Sequence, residues 1–310
     1  MIVIPLPFSQ ERPVKVRTSL NLNHFHPRIV KRGIGPDLVL KTDILKCRYY
    51  LRYCDDFVLL SRVRDELLMW WERIEGYLKE ELQLELNRNR EWLQPVSNGI
   101  DFLGYIVRGD YLLVRRGVVN NLRTKLRDYE ARLVKEGRFY RRYRFDEAIL
   151  DSLAATLSSY LGHFKMADTY SLSLSLWKRH AFLSQYFDFD PEKQKLLRKY
   201  EVPRGFTKVR LQYLYYKRVF PEDIILFQVG SFFEFYHAHD RRPAQLLGLS
   251  EMGKNRRGAQ YGFPLRFVNQ HLGQLLRDKK SVLLVLENAN YWTRIKERLP
   301  VYRFELLARD

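Results

Sequence analysis

Two apolar stretches flank a short acidic break in Arg48-Tyr49-Tyr50-Leu51-Arg52-Tyr53-Cys54-Asp55-Asp56-Phe57-Val58-Leu59-Leu60. Aromatic and β-branched residues on both sides predict two buried strands joined at the acidic pair. From Val63 the period changes. Val63, Leu67, Trp71, Ile74, Leu78 and Leu82 recur at three- and four-residue steps, the spacing of a helix with one buried face. Leu84-Glu85-Leu86-Asn87 follows, then the strand-like Ile100-Asp101-Phe102-Leu103-Gly104-Tyr105. A hairpin turning at Arg108-Gly109-Asp110 returns through Tyr111-Leu112-Leu113-Val114. Residues 118 to 182 read as helices running from Val118 to Glu136, Phe145 to Leu161 and Ser171 to Leu183, with Gly137 and Gly162 near the breaks. Trp177 and Phe182 are expected in the core of that bundle. The charged run from Lys193 to Lys199 leads to Val202-Pro203-Arg204-Gly205, a turn-rich boundary.

Composition adds a partner. The 310 residues carry a formal net charge of +18, with 14% aromatic residues. Lys and Arg that neutralise phosphates release condensed counterions, so a chain this basic points to nucleic acid. The basic residues crowd one region. Arg115, Arg116, Arg123, Lys125, Arg127, Arg132, Lys135, Arg138, Arg141, Arg142 and Arg144 interleave there with Tyr129, Phe139, Tyr140 and Tyr143. Cys47 and Cys54 are the only cysteines and sit on one predicted strand-turn unit, which argues against a disulfide framework and for a reducing cytoplasm. The first residues are too short an apolar run and too rich in proline for a signal peptide. The longest apolar runs, such as Ser281-Val282-Leu283-Leu284-Val285-Leu286, have strand length, so no membrane partner is expected.

The adjacent carboxylates Asp55 and Asp56 are costly, because each disfavours ionisation of the other. Such a pair is tolerated where divalent cations sit between it and a substrate phosphate. From Lys46 to Tyr105 the chain resembles the second half of a reverse-transcriptase palm. Tyr53 to Asp56 match the Y-x-D-D box, and Gly99-Ile100-Asp101-Phe102-Leu103-Gly104-Tyr105 is similar to the G-x-x-F-L-G-Y strand that holds the primer end. The order of these elements is closest to the bacterial group II intron-like enzymes, and among them to those of diversity-generating retroelements. Tyr160-Leu161-Gly162-His163-Phe164-Lys165 looks like their thumb.

The resemblance implies an RNA-directed DNA polymerase with Asp55 and Asp56 as catalytic metal ligands for a two-metal Mg²⁺ site. It also implies an RNA template with a DNA primer, or an RNA–DNA heteroduplex, as the bound nucleic acid. Tyr53, Phe102, Leu103, Gly104, Arg115, Arg116, Arg123, Lys125, Arg141 and Arg142 become its nucleic-acid contacts. The chain departs from the family upstream. Only 54 residues precede Asp55, and residues 1–45 have no recognisable fingers pattern. Asp43, in Lys41-Thr42-Asp43-Ile44, superficially matches the first catalytic strand but stands too close to Asp55. The expectation is a truncated enzyme whose Mg²⁺ site is incomplete, unable to polymerise unless the missing N-terminal half or a retroelement accessory protein supplies the rest.

A second resemblance begins at Tyr213. Leu226-Phe227-Gln228-Val229-Gly230-Ser231-Phe232-Phe233-Glu234-Phe235-Tyr236 is similar to the start of MutS, the mismatch-repair protein. The match runs on through Ala244-Gln245-Leu246-Leu247-Gly248-Leu249-Ser250, Gly262-Phe263-Pro264, a helix from Val268 to Arg277 and a strand from Val282 to Glu287. By this resemblance Phe232 stacks on a mispaired base and Glu234 hydrogen-bonds it, although Ser231 replaces the Asp of the family motif. Mismatched duplex DNA is the implied partner. The sequence has no G-x-x-x-x-G-K-[ST] loop, so no MutS ATPase is expected in it.

The fold class is therefore α+β. Residues 1–45 form an N-terminal segment, 46–117 a partial palm with hairpin, helix and short antiparallel strands, and 118–185 a helical thumb. Residues 186–209 form a linker and 210–310 a small α/β module like the MutS N-terminal domain. Two functions remain open: a reverse transcriptase awaiting its missing half, or a non-catalytic accessory protein that binds template-primer or mismatched duplex.

Overall fold

The computed structural model describes residues 2–4, 14–15, 17–19, 45–53, 56–87, 91–202, 204–236, 240–252, 258–278, 281–292 and 294–307. The chain divides into two compact units, residues 1–120 with 166–169, and residues 121–165 with 170–310. No helix among the described residues is long and apolar enough to cross a membrane.

In the first unit, β1 (Ile2–Ile4), β2 (Val14–Lys15), β3 (Arg17–Ser19), β4 (Tyr49–Tyr53), β5 (Asp56–Leu60) and β6 (Leu93–Pro95) share one sheet. The segment 1–45, in which the sequence shows no fingers pattern, contributes three short strands, held by pairings such as Thr18 with Phe57. The strands predicted around the acidic pair form an antiparallel hairpin with Tyr53 opposite Asp56, but only β5 is buried as expected, while Tyr49, Leu51 and Tyr53 of β4 stand exposed. Helix α1 (Arg64–Glu81) covers this sheet. It buries Leu67, Trp70, Ile74 and Leu78, while Val63 stands exposed at its N-cap and Trp71 is only partly buried. The buried stripe is therefore rotated from the predicted one. Of two adjacent tryptophans, the one facing Leu45, Cys47, Phe57 and Leu59 enters the core. A second sheet holds β7 (Ile100–Phe102), β8 (Tyr105–Val107) and β9 (Leu112–Val114), in that order. Leu103 and Gly104 connect β7 to β8 with φ of +51° and +86°. That is the turn a two-residue hairpin prefers, and it costs a leucine about 1–2 kcal/mol.

The second unit is built on a seven-stranded sheet. After α2 (Arg116–Leu133), β10 (Val134–Glu136) and β11 (Tyr140–Arg144) form a hairpin, followed by α3 (Glu147–Phe164) and α4 (Tyr170–Arg179). Next come β12 (Phe187–Asp190), β13 (Lys195–Arg198), α5 (Val209–Val219), β14 (Ile224–Val229), β15 (Phe232–Phe235) and α6 (Arg241–Leu246). The last elements are β16 (Tyr261–Pro264), α7 (Val268–Asp278), β17 (Ser281–Trp292) and β18 (Ile295–Leu306). Sheet order is β10-β11-β18-β17-β14-β15-β16, with β14 and β17 parallel and the remaining neighbours antiparallel. One face carries Ile224, Leu226, Phe233, Phe235, Val282 and Phe304 against Ala244 of α6 and Leu275 and Leu276 of α7. The other face meets α5, where buried Tyr213 lies 5.6 Å from Phe227 and Tyr216 donates to the carbonyl of Arg298.

Two sequence expectations change here. The helix predicted to reach Glu136 ends at Leu133, and the next eleven residues turn back as a β-hairpin. Its partner is β18, where Tyr140 pairs with Leu306 and Arg144 with Tyr302, a contact more than 150 residues away that local periodicity does not register. The span read as a linker, 186–209, holds the β12–β13 hairpin, whose turn is braced by Asp190 Oδ1 accepting from the amides of Glu192 and Lys193 at 3.1 Å. Tyr200 in this span is buried and donates to Glu147 on α3 at 2.5 Å. Phe182 is buried in the core role expected of it, whereas Trp177 is only partly buried, stacked on Phe189 at 5.2 Å.

Candidate nucleic-acid interface

Phe232 opens β15 and pairs with Val229 across the turn Gly230-Ser231. Gly230 has φ of +61°, a conformation glycine adopts without the Cβ penalty and one suited to the first position of a type II′ hairpin turn. Alternation along the strand sends Phe233 and Phe235 into the core beneath α6 and α7. It sends Phe232, Glu234 and Tyr236 to the α5 side. Glu234 is only 4% exposed and accepts a hydrogen bond from the Tyr236 hydroxyl. Phe232, at the strand end, is 46% exposed. Across from it lies Pro264, and the amide of Leu265 donates to the carbonyl of Ser231 at 3.0 Å. The turn that follows brings Arg266 and Phe267 to the same end of the sheet, the guanidinium 4.9 Å over the ring.

The turn beneath Phe232 is held by a polar network centred on buried Arg298. The Gly230 amide donates to Glu287 Oε1 at 3.0 Å, and Gln228 Nε2 donates to the Gly230 carbonyl at 2.9 Å. Arg298, 3% exposed, donates to Glu287 at 2.5 Å, to the Gln228 carbonyl at 2.7 Å and to the Lys296 carbonyl at 2.9 Å. Lys296 Nζ reaches Glu287 Oε2 at 3.1 Å. Burial alone would raise the Glu287 pKa, but the Gly230 amide and the Lys296 and Arg298 charges hold the carboxyl below its usual range. The exposed ring thus stands on a prearranged turn.

Residues 207–299 match the family MutS domain I. No curated protein matches the chain. The MutS domain I match begins just before α5 and ends within β18, so it takes in the Phe232 turn, Glu287 and Arg298 but neither β10 nor β11.

The other residues singled out from sequence lie as follows. In the first unit Tyr53 is 59% exposed and Asp56 half-buried, while Asp43, Cys54 and Asp55 lie outside the described residues. Among the described residues no group of three His, Cys, Asp or Glu side chains gathers as a metal site. Phe102 is buried against Val58, so of the expected primer contacts only the Leu103-Gly104 turn presents a surface. The Arg115 amide donates to the Gly104 carbonyl at 2.7 Å, and its guanidinium lies 3.5 Å from Asp101. A cavity of about 330 Å³ adjoins the hairpin, lined by Tyr49, Leu51, Val58, Leu60, Ile100 and Phe102 among others. Arg116 is exposed. In the second unit Arg123 is half-buried and Lys125 lies 5.7 Å over the Tyr160 ring. Arg141 pairs with Glu136 at 2.9 Å, and Arg142 stacks 4.7 Å over Tyr302. Arg266, Phe267, Glu287 and Arg298 went unnoticed in the sequence. Glu287, which closes the apolar run Val282 to Leu286, carries a signal that could have marked it; Arg298, in Lys296-Glu297-Arg298, does not stand out.

Near the Phe232 strand, Asp240 is fully buried, and neither carboxylate oxygen has a hydrogen bond of good geometry. Lys217 Nζ lies 3.9 Å away but donates to the Asp223 carbonyl at 2.9 Å. Burial pushes the Asp240 carboxyl up to about 7. A raised folded pKa means that the native state binds the extra proton, so stability falls as pH rises from the unfolded value through 7. Asp240→Asn is therefore expected to stabilise the fold at pH 8, by up to about 4 kcal/mol, with a higher melting temperature, and to change it little at pH 4. Thermal melts of both proteins across this range check it; an unchanged difference between the two pH values would contradict the assignment.

Proposed function

We propose that the chain binds nucleic acid through its MutS domain I-like module and that Phe232 stacks on an unpaired or mispaired base of a duplex. The carrying observation is Phe232 itself: a half-exposed aromatic ring on a turn clamped by Glu287, Gln228 and Arg298, inside the segment that matches MutS domain I. A mispaired base costs less to unstack than a paired one, so a fixed ring offered at the helix surface selects for it. The net charge of +18 supplies affinity for the backbone whatever the sequence. Glu234, buried under Tyr236, supports the strand in this reading rather than meeting a base. Binding of mismatched and fully paired duplexes by the parent chain and by Phe232→Ala tests the proposal.

A second reading, that the first unit derives from a reverse transcriptase of a retroelement, is favoured by the β4–β5 hairpin with Tyr53 opposite Asp56. The donor chemistry of Asp55 and Asp56 suits Mg²⁺, which prefers hard oxygen ligands. When bound, the ions would neutralise charge on a transferring phosphoryl group. In this reading the hairpin supplies two carboxylates, and a complementing subunit supplies the third. Primer extension on an RNA template with Mg²⁺ is then expected to fail for the chain alone. Extension by the chain alone that Asp56→Asn abolishes would remove the need for a complementing half.

A further inference from the structure

The MutS-like sheet carries an extension that the family match does not cover, and its surface has a different chemistry from that around Phe232. Strands β10 and β11 add to the outer side of β18, making β10 an edge strand. Directly opposed residues share a sheet face. Lys135 opposes Arg142, Arg142 opposes Phe304, Arg144 opposes Tyr302, and Tyr140 opposes Leu306. All of these lie on the face that α6 and α7 cover over β14 and β17, which is opposite to the face of Phe232. Phe304 anchors this row in the core, and outward from it the surface becomes aromatic and cationic.

The guanidinium of Arg142 lies 4.7 Å over the Tyr302 ring. At the hairpin tip, Arg138 lies 5.2 Å over Phe139, which is 49% exposed, and Tyr140 beside it is 38% exposed. The tip is pinned by the Leu307 amide, which donates to the Phe139 carbonyl at 3.0 Å. Among the described residues no carboxylate pairs with Lys135, Arg138 or Arg142. The nearby acids are spoken for: Glu136 and Glu305 lie on the reverse face, bonded to Arg141 and Tyr143, and Asp146 pairs with Arg144 at 2.7 Å.

We propose that this sheet face and the hairpin tip beside it form a binding platform for single-stranded nucleic acid, with Tyr140 on the face and Phe139 at the tip stacking on unpaired bases and Lys135, Arg138 and Arg142 meeting the phosphates. Exposed rings at the tip and edge, beside face cations with no carboxylate partner, are complementary to a strand that offers both base faces and backbone. A duplex hides its base faces and would use only the charges. Arg142, already stacked on Tyr302, is held ready for a phosphate. The platform stands independently of the mismatch reading, since it shares neither the face nor the residues of the Phe232 turn.

Fluorescence anisotropy with the full chain tests it, using labelled oligo-dT, oligo-rU of about twenty nucleotides and a fully paired duplex of the same length at one salt concentration. Phe139→Ala combined with Arg142→Gln is expected to weaken single-strand binding roughly tenfold or more, and duplex binding far less. Lys178→Gln, which removes one charge from exposed α4, is expected to leave the single-strand affinity near the parent value. Phe139→Ala alone, at an exposed tip, keeps the fold and reads the stacking contribution by itself. Loss on both oligomers, or on one only, supports the platform and tells which strand chemistry it takes. Single-strand affinity that stays within twofold of the parent in the double variant, falls equally in the duplex arm, or falls as far with Lys178→Gln overturns it.

Discussion

Phe232→Ala is expected to abolish discrimination between a duplex with one mispaired base and the same duplex fully paired. The parent ring is half-exposed on a turn whose amide, carbonyl and neighbouring strand are all fixed, so stacking costs little reordering on the protein side. Stacking of a base on an aromatic ring is worth about 1–3 kcal/mol, so loss of the ring should weaken mismatched-duplex binding roughly tenfold or more. The paired duplex, held through phosphates, should keep its affinity and its salt dependence. Competition anisotropy with the two duplexes gives the ratio directly. Phe232→Tyr retains a π face and should retain most of it. A ratio in the alanine variant equal to that of the parent would assign Phe232 a structural part only, and the exposed pair Arg266 and Phe267 would become the next residues to test.

The sequence carried this site unevenly, for physical reasons. The Phe-x-Glu pattern is local, and its alternation correctly separates Phe232 from the core residues Phe233 and Phe235. Exposure is not local: Glu234 shares a face with Phe232 yet is buried because Tyr236 and α5 close over it. The clamp was invisible for a stronger reason. Gln228, Glu287 and Arg298 belong to β14, β17 and β18, and only the parallel β14–β17 pairing and the β17–β18 hairpin bring them together.

In the first unit the strand pair around Tyr53 and Asp56 was legible from its apolar flanks, and the helix after it from its period. Which tryptophan enters the core was not, because adjacent residues lie about 100° apart and the choice falls to the facing sheet. Strand β10 was lost in a helical reading, since it has only three residues and gains its stability from β11 and, through it, β18, while β11 fell in the break between two predicted helices. The same oversight hid the cationic sheet face. Its arginines stood out in the sequence, but they fell in the break between two predicted thumb helices, where nothing local sets them on a flat surface beside Tyr302.

Arg298→Met should cost the second unit about 3–5 kcal/mol, the usual range when one partner of a buried ion pair is removed. Methionine nearly fills the volume over Phe227, where the guanidinium now lies at 5.4 Å, so the loss reports charge and hydrogen bonds rather than a cavity. The variant leaves Glu287 buried, with Lys296 as its remaining cation, and strips donors from the Gln228 and Lys296 carbonyls. Adding Glu287→Gln should recover part of the loss, since it removes the uncompensated charge; denaturant melts of both single variants and the double give the coupling. The pH dependence separates this from generic damage. Glu287 has a lowered folded pKa, so its contribution is complete above the ordinary carboxylate pKa and disappears as pH falls through the lower folded value. Arg298→Met should therefore flatten the acid limb of the stability curve as well as lower the plateau. It should also weaken mismatch discrimination in the protein that remains folded, because the Gly230 amide would then hang on a carboxylate that no longer has a fixed position. A variant that loses stability with an unchanged acid limb and unchanged discrimination would mean that Arg298 acts by packing alone, and that the Phe232 turn holds its shape without the ion pair.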